Sequence, residues 1–176
     1  LGRLVNSRVS DITLALGAEL LLSAGIAKDI ASARTKLEAT LASGKAAEHF
    51  DRMVSLLGGP LNFLSTYDKH LQRAPIIRPI FAGDEGTVSA IRTRELGLAV
   101  IELGGGRRVA SDKINHAVGL DQLLGKGFLV DFNTPLCIIH AQSESDFERA
   151  AQIVKAAYTV GENGASGPNI IERITV

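Results

Sequence analysis

Apolar residues recur at helical spacing through the first 74 residues of the chain. The pattern predicts four helices, which cover residues 11–25, 29–43, 45–57 and a short segment that begins at Pro60. Glycines follow the predicted ends of the second and third helices, at Gly44 and at Gly58. The first part of the chain is therefore predicted to be a helical segment, residues 1–74.

The first predicted helix is apolar nearly all round. Only Thr13, Gly17 and Glu19 interrupt the apolar residues between positions 12 and 22. A helix of this kind needs cover on every side. About 15 Å of helix is too short for a bilayer, and Asp11 and Glu19 argue further against a membrane span. We therefore expect a covering layer from a preceding part of a longer protein. The first residue is Leu1 and the one methionine is the internal Met53, which also favours a fragment.

From Pro75 onward the apolar spacing shortens, and β-branched residues appear at strand-like intervals. The pattern predicts strands at 76–81, 87–91, 128–130, 136–140 and 170–176, and helices at 93–103 and 145–158. Turn residues at 83–86 and 161–168 separate these elements. The prediction is an α+β fold, in which the helical segment precedes a β-rich domain at residues 75–176.

Charge and composition exclude several classes of function. Lysine plus arginine equals aspartate plus glutamate at 19 each, so no net field draws the chain to nucleic acid or to an anionic membrane. The single Cys137 lies in an apolar run and is predicted to be a small core residue, which fits a cytoplasmic protein. No two of the four histidines (His49, His70, His116, His140) are spaced as zinc ligands. We expect no metal and no cofactor.

One cluster could carry anion chemistry: Gly104, Gly105, Gly106, Arg107 and Arg108. Glycines let backbone N–H groups approach a phosphate, and two guanidinium groups could hold it. A phosphate loop should nevertheless follow a strand and open a helix, whereas this cluster follows the predicted helix 93–103. The pattern therefore favours a helix end with a glycine in the left-handed conformation. Direct phosphate binding stays an alternative.

Two lysines suggest a carrier domain as another alternative. Lys113 in a predicted loop, and Lys126 before the strand at 128–130, resemble the modified lysine of lipoyl or biotinyl domains. The helix at 93–103 interrupts the continuous strands that such a carrier keeps. We interpret the likeness as shared barrel-sandwich architecture, without a modified lysine.

Several motifs together resemble the pyrimidine nucleoside phosphorylases, and among them the bacterial thymidine phosphorylases. They are GDEG at 83–86, TRELGLAVIELGGGRR at 93–108, SDKI at 111–114 and Val118-Gly119. The likeness runs from about Asn6 to the C-terminus, and in that family it covers only the C-terminal part of a longer enzyme. The resemblance implies a C-terminal domain with an α/β-hammerhead or barrel-sandwich-like fold, preceded by helices of the large α/β lobe.

The resemblance also implies an activity for the parent enzyme, in which phosphate displaces thymine from thymidine and gives 2-deoxy-α-D-ribose 1-phosphate. In the family, the phosphate cradle and the groups around the base lie in earlier segments, including a GGTxDxLE stretch that has no counterpart here. No catalytic or substrate-binding residue is therefore assigned to this chain. The fragment alone is expected to be inactive, and the parent is expected to be a homodimer formed through N-terminal helices absent here.

By the same resemblance, one loop has an expected role in closing the two lobes over the substrate. Its residues are Gly104, Gly105, Gly106, Arg107, Arg108, Ser111 and Asp112. Two alternatives stay open for the chain as a whole. It could be a non-catalytic interaction or regulatory module, or it could belong to a broader pyrimidine nucleoside phosphorylase or an AMP phosphorylase, since these share the C-terminal architecture.

Overall fold

The computed structural model describes residues 7–174, which form two compact units. The helical unit contains residues 7–67 together with 168–174, and the sheet unit is Asp68–Gly167. The sequence argument for a fragment refers to Leu1. Residues 1–6 lie outside the described part of the structure. The assignment of 1–74 and 75–176 to two parts of a larger enzyme stays a prediction.

The helical unit contains the helices that the sequence pattern predicts. They are α1 (Ser7–Ser23), α2 (Ile30–Ala42), α3 (Lys45–Leu56) and α4 (Phe63–His70), whose last residues belong to the sheet unit. The start of α2 has a local cause, because the Asp29 side chain accepts a hydrogen bond of 2.7 Å from the Ser32 amide as an N-cap. Two predicted boundaries are wrong: α1 begins before Ser10, and α4 begins three residues after Pro60.

Helix α1 is covered on one side within the helical unit. Ala18 is 1% exposed and packs with Ala27 and Ala33, whereas Leu16 and Leu20 are 64% and 71% exposed. Within residues 7–174, contacts in the helical unit thus bury only part of the apolar surface of α1. That a preceding segment covers the rest stays a prediction.

The sheet unit combines six strands with two helices. In chain order they are β1 (Ile76–Phe81), β2 (Gly86–Ile91), α5 (Thr93–Glu102), β3 (Gly119–Asp121), β4 (Leu129–Val130), β5 (Pro135–Ala141), α6 (Glu144–Ala157) and β6 (Tyr158–Gly161). They form two antiparallel sheets, with strand orders β1-β5-β3 and β4-β2-β6. The predicted α+β fold is confirmed, whereas the hammerhead or barrel-sandwich description stays a prediction.

The sequence pattern missed β3 and β6, and the strand predicted at 170–176 is wrong for its described residues. Residues 170–174 have no regular secondary structure, and residues 175 and 176 lie outside the described part. The helix predicted to reach Tyr158 ends at Ala157, where the backbone turns extended and β6 begins.

The core of the sheet unit lies around β5. Leu136, Cys137, Ile139 and Ala141 of this strand are at most 1% exposed. Helix α6 contributes Ala150, Val154 and Ala157, and α5 contributes Leu96 and Ala99. Burial of these side chains fixes the position of α5. The candidate site follows the end of this helix. No helix within residues 7–174 has both the length and the apolar content to cross a membrane.

Candidate functional site

Helix α5 ends in a glycine cap of a defined type. Gly104 adopts a left-handed conformation with φ of 86°. Its amide donates to the Ile101 carbonyl at 2.9 Å, and the Gly105 amide donates to the Val100 carbonyl at 2.9 Å. These two bonds form a Schellman motif, which satisfies the last carbonyls of the helix. The helix end predicted from the sequence is confirmed.

The next two glycines are required by packing. A Cβ atom added to Gly105 would lie 3.0 Å from a methyl group of Val100 and 3.1 Å from the Val118 carbonyl oxygen. A Cβ atom added to Gly106 would lie 2.8 Å from the Ile101 side chain. The run of three glycines therefore lets the chain fold back closely over the end of α5, which accounts for it without a bound phosphate.

Asp112 organises the tip of the loop that follows. Its Oδ2 atom accepts hydrogen bonds from the amides of Arg108 at 2.9 Å and Val109 at 3.0 Å. These backbone bonds, that from Val109 first, lower the pKa of the Asp112 carboxyl below its ordinary value, and the charge of Arg108 contributes as well. The carboxylate is thus held within the loop as a structural anion.

The two arginines of the loop are exposed and partly oriented. Arg107 donates through Nε to the Asp112 carbonyl oxygen at 3.2 Å, and Arg108 forms a salt bridge with Glu102 on the last turn of α5. Ser111 and Lys113 are also exposed. Three cations therefore face solvent at the tip, while its one carboxylate at Asp112 bonds inward. We define residues 104–113 as the arginine loop.

The base of the arginine loop is held by a residue that sequence reasoning missed. The Asn115 amide donates to the Gly104 carbonyl at 2.9 Å, and its Oδ1 atom accepts from the Ala117 amide at 3.0 Å. Its side-chain amide also donates to Gln142 at 3.3 Å. An asparagine in a polar stretch is typical of such turns, which is the signal that could have identified it.

The structure brings all seven candidate residues together at the end of α5. Arginine side chains and a structured backbone can bind a carboxylate or another anionic surface. The arrangement is therefore suited to contact and positioning.

Other candidate residues lie apart from the arginine loop. Lys126 is exposed between β3 and β4, and Asp84 and Glu85 are exposed at the turn before β2. Cys137 is fully buried, and desolvation raises the pKa of its thiol to about 11, so it is a core residue as the sequence indicates. Within residues 7–174, no three side chains of the metal-binding types cluster.

The sheet unit contains a small cavity. It is lined by Gly83, Asp84, Lys155 and Tyr158, and its volume is about 80 Å³. Sites for small organic ligands usually measure roughly 300–1,000 Å³. This cavity is too small for a nucleoside.

Taken by its fold and its site, the sheet unit is an α+β domain that presents a basic, internally braced loop. Residues 87–161 match the model of the pyrimidine nucleoside phosphorylase C-terminal domain, from β2 to the end of β6. The match contains the whole arginine loop.

Proposed function

We propose that the chain is the C-terminal part of a thymidine phosphorylase. The observation that carries this proposal is the family match at residues 87–161, within which GGGRR and SDKI resemble the thymidine enzymes. In the reaction, an oxygen of inorganic phosphate bonds to C1′ of the sugar while the bond from C1′ to the base breaks. Thymine leaves with the electron pair and takes up a proton, and 2-deoxy-α-D-ribose 1-phosphate is the other product.

The catalytic groups of this reaction are proposed to lie in preceding segments of the parent enzyme. A phosphorylase needs backbone amides, hydroxyls and a lysine around phosphate, and cationic groups near the departing base. Within residues 7–174, the side chains at the candidate site serve loop structure and surface charge instead. The parent is proposed to act as a homodimer, and the 176-residue chain alone is proposed to be inactive.

The arginine loop is proposed to contact the opposite lobe of the parent enzyme when the lobes close over substrate. Two observations support this role. The loop is braced at its base by Asn115 and at its tip by Asp112, so that its cations are presented in a fixed arrangement. Arg107 and Arg108 are exposed, which suits a contact with carboxylates or carbonyl groups.

Substrate choice can be tested with the complete parent enzyme. Phosphorolysis would be measured with thymidine, uridine and AMP, and release of the free base would be followed by chromatography. The proposal predicts a kcat/KM for thymidine at least tenfold above that for the other two, a difference of about 1.4 kcal/mol in transition-state binding. Equal activity on uridine would indicate a broad pyrimidine nucleoside phosphorylase, and preference for AMP would indicate an AMP phosphorylase.

The role of the arginine loop gives a second prediction. Arg107→Ala and Arg108→Ala in the complete enzyme are each expected to lower kcat/KM for thymidine roughly tenfold, because each removes a charged hydrogen bond worth about 1.5 kcal/mol in the closed state. The free energy of unfolding should change little, since both side chains are exposed. Arg94→Ala, an exposed arginine on the first turn of α5, is the matched control and should keep parent activity. Unchanged kinetics in both loop variants would reject the closure role.

A further inference from the structure

The chain segment after the sheet unit returns to helix α1. Residues 168–174 belong to the helical unit, although they follow the last strand of the sheet unit. They have no regular secondary structure. We define these residues as the strap.

Polar contacts hold the strap at two points along α1. Arg173 forms a two-point ion pair with Glu19, with Nε to Oε1 at 2.6 Å and Nη2 to Oε2 at 3.1 Å. Two turns earlier on α1, Asp11 accepts a hydrogen bond of 3.5 Å from the side chain of Asn169. Paired guanidinium and carboxylate groups in this geometry give both energy and orientation.

Apolar packing contributes little to the docking of the strap. Ile170, Ile171 and Ile174 are 51%, 93% and 84% exposed. The hydrogen bond from Arg173 lowers the pKa of the Glu19 carboxyl, and it raises the pKa of Arg173 in turn. The contact that orients the strap is therefore electrostatic, at the surface and subject to screening by salt.

An apolar groove lies between the strap and the first two helices. Its volume is about 660 Å³, and its apolar lining includes Ile12, Ala15, Leu16 and Ile30. This size is within the range of sites for small organic ligands. Access to the groove depends on where the strap lies, because strap residues 169, 170 and 172–174 form one of its walls.

We infer that the strap is a releasable wall of this groove, latched to α1 by the pair of Arg173 with Glu19. Loss of the latch frees the strap and removes this wall, so that the side chains lining the groove become more accessible. A single exposed ion pair is weak enough to exchange between latched and released states without unfolding the helices. The strap, its latch and the groove all belong to the helical unit.

A thiol placed in the groove provides the test in the full 176-residue chain. Ala15→Cys would be introduced, and its reaction with an aromatic disulfide reagent would be timed. The native Cys137 is fully buried, so it contributes no fast phase. Glu19→Gln in this background is expected to raise the rate of reaction about fivefold, because it removes one surface ion pair. Raising NaCl from about 0.05 M to about 0.5 M should accelerate the parent and leave the Glu19→Gln variant unchanged.

Two controls separate release of the strap from general loosening. Glu48→Gln removes an exposed carboxylate of α3 that does not line the groove, and it should leave the rate within about twofold of the parent. The exchange of charges in Glu19→Arg with Arg173→Glu should restore the slow rate. An unchanged rate in Glu19→Gln, an equal rise in Glu48→Gln, or failure of the exchanged pair to restore protection would each overturn the inference.

Discussion

Replacement of Ile139 by alanine is expected to lower the free energy of unfolding of the sheet unit by about 2–5 kcal/mol. Ile139 is fully buried at the centre of β5, where its backbone pairs with Arg78 of β1 and Leu120 of β3. Because strands on both sides fix the backbone, the cavity left by the lost methyl groups cannot readily collapse. A small domain has only roughly 5–15 kcal/mol of total stability, so this single change removes a large share.

Urea unfolding measures this effect. Hydrogen exchange of peptides from residues 87–161 would report the sheet unit separately from the helical unit. Ile139→Val should cost about 0.5–1.5 kcal/mol, and Leu129→Ala, at a side chain that is 77% exposed, should stay within about 0.5 kcal/mol of the parent. If Ile139→Ala and Leu129→Ala lost equal stability, β5 would not be the centre of the core.

Alkaline pH is expected to destabilise the sheet unit through two buried groups. Desolvation raises the pKa of Cys137 from 9.0 to about 11, and desolvation followed by the charge of Cys137 raises that of Tyr158 from 10.0 to about 12. Both groups are neutral when protonated and are held in that form by burial. The Tyr158 hydroxyl also donates to the carbonyls of Leu124 at 3.0 Å and Leu136 at 3.4 Å.

The direction of the pH effect follows from the raised values. Stability from these groups is fully present below about pH 9, where the unfolded thiol is still protonated, and it is lost as the pH rises towards 12. The combined loss at pH 11 is about 4 kcal/mol.

Variants assign this alkaline loss to the two residues. In Cys137→Ala with Tyr158→Phe, the free energy of unfolding above pH 9 should depend much less on pH than it does in the parent. Tyr67→Phe is the control, because this tyrosine is 53% exposed. Urea titrations between pH 8 and pH 11 would measure the dependence. A slope in the double variant as steep as in the parent would contradict the assignment.

Local signals in the sequence predicted the helices well. Asp29 before α2 and Gly104 after α5 each supply a hydrogen-bond pattern that acts within a few residues, so the ends of these helices can be identified from the chain alone. The amphipathic pattern of α6 likewise reflects one buried face, formed by Ala150 and Val154.

Strands that depend on distant partners were predicted less well. β6 forms because Tyr158 to Gly161 pair with β2, some 70 residues earlier, and nothing local separates these residues from the end of α6. The tail at 170–174 has the β-branched residues of a strand and yet has no ladder partner. Whether a residue forms a strand depends more on its tertiary contacts than on its own backbone preference. The sequence pattern therefore missed β6 and wrongly predicted a strand at 170–174.

At the candidate site, too, local features were predictable and contacts between distant residues were not. The glycine cap was visible in the sequence, whereas the salt bridge of Arg108 with Glu102 and the bracing by Asn115 and Gln142 were not. These contacts require the chain to reverse over the end of α5, and that reversal depends on close packing at Gly105 and Gly106. The composition of the loop was thus predictable, and its internal structure was not.

The central claim is that this chain supplies the C-terminal part of a thymidine phosphorylase while the bond-breaking groups reside in preceding segments. Its most direct test is phosphorolysis of thymidine by the purified 176-residue chain beside the complete parent enzyme, with thymine release measured at saturating phosphate. The account predicts turnover by the complete enzyme and none by the chain above a sample without protein. Phosphate-dependent release of thymine by the 176-residue chain itself would contradict it.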